Sequence, residues 1–275
     1  MKSFSQYITE ATAERDQSFL DEAEFVFQKV VEDLYKHQLK NYFSDEIEGV
    51  RRYATDLGTA TENKLYDNVY LVFAPTAKDK RGIFVKIKGT DKKTIALFCL
   101  EKKDFATDNP VWSAMSTQYA HLRVTFIHEF IHYLDSTRIG DQRWSAITKA
   151  ANVFSGKINP RTYYNQPLEF NAFYQQGISR IEGTIKLLFS DFGEDPKDTI
   201  KKIETTYKPL FTTNFNDFYK FSIENNVFQK DFIQNLTDKN KKKLMSRYYG
   251  LFKDMIQPKL NKLKLMADQY ERQHE

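Results

Sequence analysis

Between Thr125 and Asp135 the chain reads TFIHEFIHYLD, with two histidines and a glutamate set in an apolar run. On a helix, residues four apart lie one turn apart on one face, so His128 and His132 can aim their imidazoles at a single ion. Glu129 projects beside them without being forced to bind. Two neutral nitrogen ligands, an open position for water and a carboxylate placed to take that water's proton are what a zinc hydrolase requires. The spacing therefore predicts a Zn2+ site with Glu129 as general base. Phe126, Ile127, Phe130, Ile131 and Leu134 would anchor the helix in the core and keep the site dry. The competing reading is a buried helix whose two histidines merely fill space. With 5 His in 275 residues, the His-Glu-x-x-His spacing favours the metal.

A third ligand has to come from a carboxylate. Cys99 is the single cysteine, which excludes a CxxC zinc site and a disulfide framework, and the one histidine downstream of the motif is His274. In YYNQPLEFNAFYQQ, Pro167 starts a helical segment and Glu169 falls in its first turn, where a helix packed beside the motif helix could deliver it to the ion. Glu182 and Glu194 are rivals, the first well beyond the helix start and the second read as a loop residue. Asp135, three residues after His132, is either the acceptor for a ring N–H or an ordinary surface carboxylate. For the oxyanion, Tyr163, Tyr164 or Tyr174 could supply a phenol and His121 or Arg180 a cation; each has a packing or surface reading beside it.

Those residues need elements to hold them. Apolar positions Phe19, Leu20, Ala23, Val26, Phe27, Val30 and Leu34 predict a long amphipathic helix over Glu14 to Phe43, and a shorter helix is expected over Glu46 to Leu57. NVYLVFAP, GIFVKIKG and TIALFCL are rich in β-branched and aromatic residues and read as three strands. Further helices are expected at Gln118 to Arg138, Gln142 to Phe154, Pro167 to Phe189, Pro196 to Leu210 and Asp238 to about Gln273, with INPRTYYNQP as the clearest loop. The class is α+β. Hydrophobic residues at 41% and aromatic residues at 15% describe a globular chain, and a net charge of +4 is too mild to prove a nucleic-acid partner. No apolar run approaches the roughly 20 residues of a membrane span, and no secretory signal is evident, so a membrane partner is not expected.

His128, Glu129, His132 and Glu169 together resemble the gluzincin branch of zinc peptidases, in which HExxH is joined by a glutamate from a following helix. PLEFNA is similar to the Pro-x-Glu-x-x-Ala pattern of several minimal zincin-like families, including phage-encoded ones. The resemblance covers about Tyr119 to Gln176. It implies a zincin-like fold: a small, mostly antiparallel sheet whose edge strand pairs with an extended substrate, the motif helix beneath it, and a helical C-terminal lobe carrying the third ligand. It also implies hydrolysis of protein or peptide substrates. The metzincin extension is excluded, because its Gly and third His positions hold Asp135 and Arg138. No aspartate follows Glu169 by four residues, as it does in the thermolysin-like and neprilysin-like groups.

At the N-terminus, MKSFSQYITEA reads either as an amphipathic cap on the first helix or as a leader. It resembles the capsid-targeting leader of internal head proteins of large tailed bacteriophages, whose maturation protease cuts after the glutamate of an Ile/Leu-x-Glu site. Ile8, Thr9 and Glu10 match, which implies a leader of residues 1–10, a mature chain from Ala11, packaging in the virion head and delivery to the host cytoplasm. The body would then be one zincin-like domain over 11–275, with an α/β lobe to about 138 and a helical lobe over 139–275. KNKKKLMSRYYGLFKDMIQPKLNKLK interleaves Lys241, Lys242 and Lys243 with Tyr248, Tyr249 and Phe252. That run is either the solvated face of a helix or a non-specific DNA contact. The rival readings for the whole chain are a non-catalytic head protein with a structural metal site and a DNA-binding internal protein.

Overall fold

A computed structural model describes residues 4–47, 50–77, 81–87, 90–139 and 159–274. By contact density the chain forms two compact units, Ser18–Ala150 and Met1–Gln17 together with Ala151–Glu275. The first helix, α1, spans Phe4–His37. It starts earlier and stops earlier than its apolar spacing predicts, and every apolar position named for it is buried.

In Ser18–Ala150 a five-stranded sheet is built from β1 (Phe43–Ile47), β2 (Val50–Asp56), β3 (Val69–Pro75), β4 (Gly82–Lys86) and β5 (Lys93–Leu100), with a short helix α2 (Leu57–Thr61) after β2. The spatial order is β1-β2-β3-β5-β4. Pairing is antiparallel except between β3 and β5, which run parallel, so the sheet is mixed. The helix expected over Glu46 to Leu57 is instead the β1–β2 hairpin. Its register places Asp45 opposite Arg52, whose guanidinium donates to both carboxylate oxygens at 3.1 and 2.8 Å. Pairing of Tyr53 to Asp56 with β3 buries Tyr53, Ala54 and Thr55, a tertiary gain that outweighs local helix preference.

The motif helix, α3, spans Pro110–Ile139. It is longer than expected and is kinked at Gln118, the residue where the sequence places its start. There the backbone leaves helical geometry (φ −125°, ψ 18°) and the side-chain amide donates to the Cys99 carbonyl at 3.0 Å. The bond ties the helix to β5 at the kink. Asn109 caps the helix start through the Trp112 N–H, and buried Asp104 accepts from the Ser113 hydroxyl at 2.7 Å. Phe27 of α1 packs on Phe126, which stacks on Phe130. Arg123 completes the anchorage by gripping Glu24 through two hydrogen bonds.

The other unit is helical. It contains α4 (Pro160–Tyr164), α5 (Pro167–Glu194), α6 (Pro196–Thr205), α7 (Phe215–Glu224), α8 (Lys230–Asn235), α9 (Asp238–Leu251) and α10 (Gln257–His274), the last two joined by a π-helical turn over Phe252–Ile256. INPRTYYNQP is thus a loop interrupted by the single turn of α4, which Asn159 caps. α5 runs further than expected, to Glu194, which is its last residue rather than a loop residue. α6 ends at Thr205, short of the expected Leu210, which lies in a separate 3-10 turn. The helices α7 and α8 were not anticipated; they bring Phe218, Phe228 and Phe232 into a buried aromatic core with Tyr248 and Phe252. At Gly177 an added Cβ would fall 2.3 Å from the Phe228 ring, so only glycine lets that ring lie on α5. The helix expected over Gln142 to Phe154 lies outside the described residues. No helix among the described residues is long and apolar enough to cross a membrane.

Candidate metal centre

Within α3, His128 and His132 present ring centroids 4.9 Å apart at an interplanar angle of 85°. Both are buried, as is Glu129 between them. The apolar flank behaves as its spacing predicts, with Phe126, Ile127, Phe130 and Ile131 fully buried and Leu134 nearly so. Gly82, the first residue of β4, has no side chain and leaves room for the Glu129 carboxylate: a Cβ there would lie 2.9 Å from Glu129 Oε1. Two residues along the same face of the strand, Phe84 meets Tyr133 edge-on at 6.3 Å, one helical turn after Glu129. The edge strand therefore runs beside the Glu129 face of the motif helix.

Glu169 lies in the first turn of α5, buried, as Pro167 at the helix start predicts. One donor atom each from His128, His132 and Glu169 lie within 4.8 Å of one another, a group that can hold a metal ion. Two imidazoles and one carboxylate match the three-ligand set of catalytic zinc. Tetrahedral bonds of about 2.1 Å set ligand atoms about 3.4 Å apart, inside that 4.8 Å bound. The donors fit the ion.

The rival carboxylates are placed elsewhere. Glu182 is 2% exposed and accepts from Lys259 Nζ at 2.7 Å and from Gln17 Nε2 at 3.3 Å. It sits about 20 Å from Glu169 along the axis of α5, and exposed Glu194 about 38 Å, at 1.5 Å per residue. Arg180, weighed as an oxyanion cation, donates to the carbonyls of Asn226 and Val227 at 3.0 and 3.3 Å.

Among the phenols, Tyr164 is closest in effect to Glu169. Its pKa is raised, mainly by burial and then by the charges of Asp231 and Glu169, so it remains a proton donor. Tyr163 packs edge-on against Tyr164 at 5.2 Å. Tyr174 is fully buried beneath the Arg247 guanidinium, 4.0 Å from its ring centroid. His121 is exposed on α3 and Asp135 is half-buried there. Glu10 and Ala11 fall inside the helical span of α1.

Two supporting arrangements do not follow from the sequence. Arg247 on α9 lies over Tyr174 and donates to Asn171 Oδ1 at 3.1 Å, while Lys243, one turn earlier, lies 4.8 Å over Phe170. Together they brace the turn of α5 that carries Glu169. Asn165 forms a knot: its Oδ1 accepts from the Thr237 N–H, the Thr237 hydroxyl and the Asn240 amide, and its own amide donates to the carbonyls of Arg161 and Asn235. The i,i+4 spacing of Lys243 and Arg247 was visible, but nothing in the sequence says that α9 faces α5.

Comparison with known proteins adds no family: no family model, curated protein or solved structure matches the chain.

Proposed function

We propose that the protein is a zinc-dependent endopeptidase of the gluzincin type, with a zincin-like fold. The observation that carries this reading is the buried cluster of His128 and His132 of the HExxH helix with Glu169 of α5. His128, His132 and Glu169 would hold the zinc, which would supply Lewis-acid activation of the attacking water. Glu129 takes a proton from the attacking water and returns it to the leaving amine. Tyr164, kept protonated, donates a hydrogen bond to the developing oxyanion. β4 supports the substrate class: it is the sheet edge, and an extended peptide added to it would pass Glu129 beside Gly82.

The test is hydrolysis of a mixed peptide library by zinc-loaded protein and by Glu129→Gln. Cleavage by the wild type and its loss by at least about 100-fold in the variant, with zinc retained, is the expected result. A zinc-loaded wild type that cleaves nothing leaves a structural metal site as the better account. The leader resemblance supports packaging in a phage head after cleavage between Glu10 and Ala11; particle-derived protein beginning at Met1 or Lys2 would remove that part of the proposal.

One observation favours a second activity. On α9, Lys239, Lys241 and Lys242 are exposed beside half-exposed Tyr249, a pattern suited to non-specific DNA contact. Steeply salt-dependent DNA affinity, lost when Lys241, Lys242 and Lys243 are replaced, is the expected signature.

A further inference from the structure

We propose that Gly82, on the edge strand, is a positioning residue for the general base: the volume left by its absent side chain is where the Glu129 carboxylate sits. This rests on the peptidase reading of Glu129. The geometry lies wholly within Ser18–Ala150. The three atoms nearest an added Cβ are Thr125 Cγ2 at 2.7 Å, Glu129 Cγ at 2.9 Å and Glu129 Oε1 at 2.9 Å. Thr125 and Glu129 are one turn apart on α3, so a methyl at Gly82 would enter the groove between them.

Ordinary contact between such atoms needs about 3.4 Å or more. Both side chains must therefore move. For Thr125 a rotamer change is enough. For Glu129, Cγ and Oε1 are both 2.9 Å away, so the side chain must turn at χ1, which carries the carboxylate away from the strand. That response removes the base from its place. No atom of His128 or His132 is among the three nearest, so the metal donors are not the groups displaced. The strand's backbone role is retained, because Gly82 pairs with Leu97 in the β4–β5 ladder and alanine can make the same hydrogen bonds.

Gly82→Ala is expected to lower kcat by about 10- to 100-fold, as expected for a catalytic group misplaced by up to about 1 Å. Zinc stoichiometry should stay close to wild type, because neither histidine is among the atoms displaced. Thr125→Ala relieves one of the two collisions, so Gly82→Ala/Thr125→Ala should remain as inactive as Gly82→Ala, while Thr125→Ala alone stays active. A crystal structure of metal-free Gly82→Ala should show the Glu129 carboxylate rotated away from β4. Full activity in Gly82→Ala, recovery of activity in the double variant, or an unmoved Glu129 would each overturn the proposal. So would parallel losses of Tm and zinc affinity, which would mean that Gly82 serves packing alone. If the wild type hydrolyses no peptide, the peptidase reading fails by itself, and the position of Glu129 in the variant crystal still decides whether Gly82 positions it.

Discussion

The Arg123–Glu24 pair fixes the motif helix to α1, and its removal should be measurable in a defined way. The two side chains are 13% and 11% exposed and joined by two hydrogen bonds. Arg123→Met keeps most of the aliphatic stem and deletes the charge, leaving Glu24 buried without its guanidinium partner. Breaking a buried pair from one side costs about 3–5 kcal/mol, and the remaining exposure places this one near the lower end, about 3 kcal/mol. With an unfolding entropy of about 2.1 cal/mol/K per residue, that lowers Tm by about 5 °C if the whole chain unfolds as one, or about 10 °C if Ser18–Ala150 unfolds alone. Adding Glu24→Leu removes the stranded charge, and replacing both partners by apolar groups is often neutral, so the double variant should return to within about 1 kcal/mol of wild type. Urea and thermal unfolding followed by circular dichroism give the four corners of the cycle. A loss below about 0.5 kcal/mol in the single variant, the range of exposed pairs, or a double variant no better than the single, would refute the claim that this pair anchors the helix.

Three further outcomes follow from particular side chains. Burial raises the pKa of Asp33, an effect that the hydrogen bond from Asn41 partly offsets. The folded state then holds that proton more tightly than the unfolded chain, so stability contributed by Asp33 rises as pH falls through its folded pKa toward the ordinary value near about 4; Asp33→Asn should flatten the denaturant midpoint over that window, and parallel profiles would contradict this. Burial pushes the Cys99 thiol up to about 12, with the Asp104 charge adding to it. Native protein at pH 8 should therefore resist a thiol-specific disulfide reagent and react only when unfolded, whereas stoichiometric labelling of folded protein would be inconsistent with the buried site. Arg247→Met removes the guanidinium from Tyr174 and Asn171 and should weaken zinc binding about tenfold in chelator competition, as loss of an outer partner does; unchanged affinity would show that α9 does not position Glu169.

The motif helix, three of the strands and the first helix were legible because each carries its own period: the apolar face from Phe19 to Leu34 is buried as its spacing says. The β1–β2 hairpin was not legible. Its strands are charged, and what selects them is pairing of β2 with β3, which is not local. The segment from Phe215 to Asn235 carries apolar residues at helical spacing, but its helices are short and are separated by a turn in which Asn226 takes a φ of 53°. At the candidate site, the donors could be read because HExxH and a glutamate in a Pro-initiated first turn have fixed local geometry. Gly82, Lys243, Arg247 and Asn165 act across elements, and no spacing along the chain reports that.

The most direct test of the central claim is metal content by mass spectrometry on purified protein, comparing wild type with His132→Ala, Glu169→Ala and Glu182→Gln. One zinc per wild-type chain, lost in the first two variants and kept in Glu182→Gln, is the expected result, because Glu182 is held by Lys259. A wild type that stays metal-free when zinc is supplied would return HEFIH to the core as packing and contradict the account.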